Sequence, residues 1–211
     1  MELTQLLSIL ILILSIVAHE VSHGYAALLF GDPTAKIAGR LTPNPLKHLD
    51  FIGSIVVPSI FLLTSGGIAG WAKPVPYNPI NLRDRKWGEI FIAAAGPLSN
   101  LLLVIVFLVL AKVIFRTSLV NSLGDLADPI GTMLGVGMSL NIILAVFNMI
   151  PVPPLDGSKV LMNLLPDSVA ESYAQVPDWA GFIVLFLLIR IGFTDSLTRP
   201  IEQFVMTLLN L

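Results

Sequence analysis

Apolar residues run along this chain in long blocks, at about Leu3 to Phe30, Phe51 to Gly70, Ile90 to Phe115, Ile130 to Ile150 and Trp179 to Phe193, with polar or Pro/Gly-rich sequence between them. A helix needs roughly 20 apolar residues to cross the hydrocarbon core of a bilayer, so the first, third and fourth blocks predict full spans. The fifth is short and reaches that length only by starting near Ala174. The last stretch, Ser196 to Leu211, predicts an amphipathic helix or a further partial insertion. No repeat or low-complexity tract interrupts the series.

The second block carries Pro58 in its middle and ends in Ser65-Gly66-Gly67. Lys36, Arg40 and Lys47 precede it, and Lys73, Arg83, Arg85 and Lys86 follow it. Positive charge marks short cytoplasmic loops, so both flanks read as cytoplasmic, and a segment with both ends on one side must dip in and return. Re-entrance is the expectation for this block, with a short span as the alternative. On the same reading the first helix runs from outside to inside, the third block from inside to outside, and the fourth returns. Arg116 to Pro129 then lies outside, and the C-terminal ends of the first and fourth blocks face the cytoplasmic side.

Composition agrees with a membrane setting. The 211 residues are 55% hydrophobic and 12% charged, with a mean hydropathy of +0.86, outside the range of a soluble domain. The net charge of -2 and the scattered Lys and Arg supply no basic surface for nucleic acid. With no cysteine in the chain, only His and carboxylates are left to hold a metal. Leu6 to Ala18 has the length of a signal-peptide core. However, Glu2 is the only charge before it, and His19, Glu20 and His23 stand where a small-residue cleavage site would be. The segment is read as retained.

His19-Glu20-Val21-Ser22-His23 is an H-E-x-x-H sequence inside the first apolar helix. Spacing of four puts both imidazoles on one face about one turn apart, close enough to share a zinc ion at roughly 2.0 to 2.1 Å from each nitrogen. Glu20, beside His19, can reach a water there as general base. Ionisable groups at membrane depth are expensive and rarely idle, which sets this cluster apart from a chance match. His48, in a polar loop, reads as solvated. A catalytic zinc site usually offers three protein ligands and keeps a fourth position open, so one more ligand is needed. Asp32, Asp50, Asp84, Glu89, Asp125, Asp128, Asp167, Glu171, Asp178, Asp195 and Glu202 lie in loops, at segment ends or beyond them, where solvation accounts for them.

Asp156 is different. It follows an apolar helix within Asn148-Met149-Ile150-Pro151-Val152-Pro153-Pro154-Leu155-Asp156-Gly157, where prolines and a glycine break regular structure and freed backbone groups must line a cavity or meet a partner. The alternative is an N-cap for a helix starting at Ser158. Asn148, near the end of the apolar helix, carries an amide that would be costly unpaired. A hydrogen bond to a neighbouring helix and a grip on substrate are both open to it.

Together these residues resemble the site-2 protease family of intramembrane metalloproteases. The resemblance rests on His19 through His23, on Ala95-Gly96-Pro97-Leu98-Ser99-Asn100 opening the third block, and on Asn148 through Gly157, in the family's order. It implies a three-helix catalytic core over roughly residues 3 to 160. Within that core it implies one zinc per chain held by His19, His23 and Asp156, Glu20 as the base, and Asn148 binding the substrate strand or the oxyanion. The implied substrate is a transmembrane helix, locally unwound beside the metal. Many relatives carry a PDZ domain between the second and third core helices; only Arg116 to Pro129 lies there in this chain, so the short form is expected. Ala38 to Thr42 and Trp71 to Pro76 look like the family's membrane-associated β region, whose edge could receive an extended substrate. Plain loop is the alternative for the Pro-rich piece.

The expected whole is an all-α polytopic membrane protein, with about four to six transmembrane or re-entrant helices around that core and a small membrane-associated β region. It forms a single domain over 1–211 that ends in C-terminal helices at about 174–211. It is expected in the cell membrane, with the active site toward the cytoplasm, hydrolysing peptide bonds within or near transmembrane helices. One rival is a transport protein using His19, His23 and Asp156 as a metal or proton relay, although a relay has no need of Glu20. The other is a metal-binding structural protein without turnover.

Overall fold

A computed structural model describes residues 3–50, 53 and 72–210. Among the described residues the regular elements are all helical. Besides short 3-10 turns at Pro45–Lys47, Pro79–Asn81 and Gly124–Leu126, the α-helices in chain order are α1 (Leu3–Leu29), the single turn α2 (Thr34–Ile37), α3 (Arg85–Phe115), α4 (Leu119–Leu123), α5 (Ala127–Asn148), α6 (Asp156–Leu164), α7 (Asp167–Ala174), α8 (Asp178–Arg190) and α9 (Phe193–Asn210). Leu6–Leu29, Arg85–Phe115 and Leu119–Asn148 are long and apolar enough to cross a membrane. The chain is therefore an all-α, multi-pass membrane protein. Whether 51–70 spans or re-enters lies outside the described residues.

α3 is the spine, packed against α1, α5 and α6. It starts at Asp84, whose carboxylate accepts the Trp87 N–H at 3.0 Å as an N-cap. Leu102, Ile105 and Val109 leave more than half of their surface uncovered, which suits a helix wall in contact with lipid. α9 is the expected amphipathic helix, begun slightly earlier, at Phe193. Its buried Val205 meets Val104, Met138 and Ile142, and its Glu202 accepts a 2.6 Å hydrogen bond from Ser139 of α5.

Several expectations are corrected. The fifth block does not reach back to Ala174, because Pro177 has no N–H to give the preceding turn and disfavours helical backbone at Val176. The chain turns by 88° between α7 and α8, leaving α8 with 13 residues. The β region is absent among the described residues. Pro74 and Pro76 have no N–H to donate, the Val75 N–H between them goes to Glu20 at 3.0 Å, and the Lys73 N–H goes to the His48 carbonyl at 2.9 Å. Between Lys73 and Pro76 this leaves no N–H to start a ladder.

Three polar residues assigned to solvent are buried instead. His48 is 2% exposed and donates from Nε2 to the Thr42 carbonyl at 2.9 Å. Asp32 is fully covered and accepts from Asn78 N–H and Asn81 Nδ2, both at 2.7 Å, and from Thr34 N–H at 3.1 Å. It thereby ties the end of α1 to the segment leading into α3. Glu89 is buried under Arg85 Nε and Asn163 Nδ2, each at 3.0 Å, and so joins α3 to α6.

Candidate metal centre

α1 places His19 and His23 one turn apart, their rings edge to face with centroids separated by 4.7 Å. Asp156 enters from the first turn of α6, and its Oδ2 lies 3.1 Å from Nε2 of each histidine. Among the described residues this is the one group of three His or carboxylate side chains able to hold a metal ion. His19 and Asp156 are buried. α6 begins at Asp156 itself, with Leu155 in the cap position and no side-chain cap. The N-cap alternative is therefore not what the residue does, since its carboxylate faces the imidazoles.

Two glycines make the convergence possible. A Cβ on Gly96 would stand 2.5 Å from Nε2 of both His19 and His23, so only a hydrogen fits on the face of α3 that the rings approach. A Cβ on Gly157 would run into the Met149 carbonyl, so the corner that turns α5 into α6 could not close with any other residue. Pro97 cannot donate to the Ala93 carbonyl, which loosens the wall of α3 beside the point where His23 Nδ1 donates to the Ile92 carbonyl at 2.6 Å.

The donor set fits a small divalent ion. His23 has its Nδ1–H engaged with a carbonyl, and His19 Nδ1 lies 2.6 Å from Asn100 Oδ1, so both rings turn Nε2 toward the Asp156 carboxylate. Facing acceptors at 3.1 Å repel one another unless a cation or a proton lies among them. A tetrahedral site with bonds of about 2.0 to 2.1 Å has ligand-to-ligand edges of roughly 3.3 to 3.4 Å, close to the spacing present. Two imidazoles and a carboxylate, with a fourth direction left over, are the ligand chemistry of catalytic zinc.

Glu20, half-buried beside His19, accepts the Val75 N–H on Oε2, which holds its carboxylate in one orientation. Asn148 lies at the end of α5, where its Nδ2 donates to the Leu144 carbonyl of the same helix at 3.0 Å. Among the described residues Asn148 has no hydrogen bond to a neighbouring helix. Burial and the Glu89 and Asp156 carboxylates push the Tyr77 phenol up, keeping it neutral. At Asp32 burial alone would raise the carboxyl, but the donors Asn81, Thr34 and Asn78 outweigh it and hold the group below its ordinary range.

Sequence reasoning missed Asn141 and Ser15 and gave Asn100 no role, although all three are polar positions inside apolar helices. Asn100 and Asn141 are fully buried and bonded to each other at 2.8 Å. That placement was the available signal.

Comparison with known proteins agrees with this geometry. The family model for peptidase family M50 matches residues 7–190. Relatives include the "Putative zinc metalloprotease YwhC" of Bacillus subtilis (strain 168), 36% identical over 180 residues that cover 85% of this chain and 78% of that protein. The similarly named Rip2 of Mycolicibacterium smegmatis is 28% identical over 192 residues, covering 89% of this chain and 66% of that one. The zinc metalloprotease MJ0392 of Methanocaldococcus jannaschii is 28% identical over 156 residues, covering 74% of this chain and 33% of that one. No solved structure matches the chain. Donor set and relatives together make zinc the cofactor. This chain belongs to peptidase family M50, the site-2 protease family of membrane metalloproteases.

Proposed function

We propose that the chain is an intramembrane endopeptidase that hydrolyses peptide bonds within or near transmembrane helices, with His19, His23 and Asp156 as the zinc ligands and Glu20 as the general base. The observation that carries this reading is the meeting of Nε2 of His19, Nε2 of His23 and Oδ2 of Asp156 immediately beside an oriented Glu20 carboxylate. Zinc held there supplies a Lewis acid that polarises a carbonyl and lowers the pKa of a water.

The protein's own groups do the rest. Glu20, held through Oε2, would use Oε1, which has no partner among the described residues, to take a proton from the attacking water as its oxygen adds to the scissile carbonyl carbon. The same carboxylate then delivers that proton to the departing nitrogen as the C–N bond breaks. Asn148 uses one amide hydrogen on Leu144 and has a second for the substrate backbone or the oxygen that gains charge. A helical substrate hides its carbonyls in i to i−4 bonds, so residues such as Gly or Pro near the cut favour cleavage by easing local unwinding.

α1, α3 and α5, with the corner into α6, form the catalytic unit over about residues 3 to 160. Lys36, Arg40 and Lys47 after α1 orient the site toward the cytoplasm. The test is a comparison of membrane-protein fragments between cells carrying the wild type and cells carrying Glu20→Gln. Fragments cut within or beside transmembrane helices are expected only with the wild type. An identical fragment pattern from both would contradict the assignment of Glu20.

A further inference from the structure

Three polar side chains from three helices stand in line behind His19. Asn100 of α3 and Asn141 of α5 are 0% exposed, and Ser15 of α1 is 2% exposed. Burying two amides and a hydroxyl between apolar helices is costly unless each is bonded, and each of them is. His19 Nδ1 lies 2.6 Å from Asn100 Oδ1. Asn100 Nδ2 donates to Asn141 Oδ1 at 2.8 Å and to the Ser15 carbonyl at 3.5 Å. Asn141 Nδ2 donates to Ser15 Oγ at 2.9 Å and to the carbonyl of Gly137 at 2.8 Å.

The polarity of this line is set by its far end. The oxygen and nitrogen of an amide are told apart by their partners, and a carbonyl can only accept. The Asn141 atom facing the Gly137 carbonyl must therefore be its NH2, which turns the Asn141 oxygen toward Asn100. That oxygen and the Ser15 carbonyl both accept, so Asn100 presents its NH2 to them and its oxygen to His19. An amide oxygen offers no hydrogen, so the hydrogen between it and His19 must sit on Nδ1. Neutral His19 then carries its lone pair on Nε2, the atom that faces Asp156.

We infer that Asn100, with Asn141 and Ser15 behind it, is a positioning residue that fixes His19 as the Nδ1–H tautomer and aims its Nε2 at the zinc. This rests on the reading of His19 as a zinc ligand. His23 receives the same setting from the Ile92 carbonyl, which is main chain. The two histidines are thus held by different means, and only the hold on His19 can be removed by substitution.

The test uses the purified full chain, stripped of metal and titrated with zinc against a chelator, together with 15N spectra of the histidine rings in the metal-free protein. Asn100→Leu, of similar volume, is expected to weaken zinc binding about tenfold or more, in line with the 10- to 100-fold typical of such outer partners. It is also expected to move His19 from the Nδ1–H toward the Nε2–H tautomer while leaving His23 as it was. Asn100→Asp keeps an acceptor for the Nδ1–H and is expected to restore that tautomer and most of the affinity. Asn141→Leu acts in the same direction as Asn100→Leu but less strongly, because the Ser15 carbonyl still faces Asn100.

A role in packing alone would lower the melting temperature of these variants without changing the tautomer or the affinity of the folded protein, and that result overturns the inference. Should Asn100→Leu not fold, a wild-type tautomer and affinity in Asn141→Leu overturns it equally. His19→Ala separates the two readings. If it binds zinc as the wild type does, the ligand assignment itself fails. If it loses zinc while Asn100→Leu keeps wild-type affinity, only the positioning role fails.

Discussion

The two halves of α3 obey different rules although they form one continuous helix. Between Arg85 and Asn100 the buried positions are Gly88, Glu89, Ile92, Ala93, Gly96, Pro97 and Asn100, whereas from Leu101 to Phe115 only Val104 and Ala111 are buried. The first half attends to each member of the candidate metal cluster. Its Asn100 holds His19, its Ile92 carbonyl holds His23, its Gly96 leaves room for both rings, and its Glu89 accepts from Asn163 on the helix that carries Asp156. The second half leaves mostly apolar side chains uncovered, which suits contact with hydrocarbon, where many apolar side chains serve equally well. Position along the helix therefore decides what a substitution costs, more than the change in hydrophobicity does.

The largest effect is expected at Gly96. Gly96→Val drives methyl groups into the two Nε2 atoms, and zinc retention and turnover are expected to fall on the order of 10²-fold, the scale of a displacement of about 1 Å in an active site. Metal analysis and a cleavage assay on the same preparation check this. A smaller effect is expected at the end of α5, where purified Asn148→Ala should keep its zinc and thermal stability but cleave a helical transmembrane substrate at least about tenfold more slowly. Cleavage at the wild-type rate by the zinc-loaded variant would show that this amide has no part in the reaction.

Beside the polar half of α3, Asp32→Asn turns one acceptor oxygen into a donor facing the Asn78 N–H, and the expected loss is about 1 to 3 kcal/mol of stability. Because the folded protein holds the Asp32 carboxyl below its ordinary range, this contribution is fully present above that range. It is lost as the pH falls through the depressed value. The gap in melting temperature between wild type and variant should close on acidification. At the lipid-facing half, Leu102→Val is expected to change stability by no more than about 0.5 kcal/mol and to leave turnover unchanged; a large loss there would erase the contrast between the halves.

How far the sequence reached follows the same division. His19, Glu20 and His23 were legible because their relation lies within one helix and needs only its periodicity. Asp156 was legible because prolines and a glycine announce a broken corner beside it. The line from Asn100 through Asn141 to Ser15 was not, since it depends on which faces of three separate helices meet. Burial of Asp32, His48 and Glu89 is likewise a product of packing between distant segments, and nothing local distinguishes them from solvated side chains. The β region, absent among the described residues, is another case. Pro74 and Pro76 could be read as poor ladder residues, but that Val75 gives its N–H to Glu20 requires knowing that the segment lies across α1. Pro177 was a readable stop signal, and the structure shows it outweighing the apolar length that favoured a longer helix.

If three residues hold the zinc and a fourth, adjacent to them, acts on water, removing each should have a distinct effect on metal content. Zinc per chain, measured on purified wild type, His19→Ala, His23→Ala, Asp156→Ala and Glu20→Gln at matched purity and folding, tests it most directly. About one zinc is expected in the wild type and in Glu20→Gln, with proteolysis lost in the latter, and little or none in the other three. Full zinc content in Asp156→Ala, or loss of zinc in a folded Glu20→Gln, would contradict it.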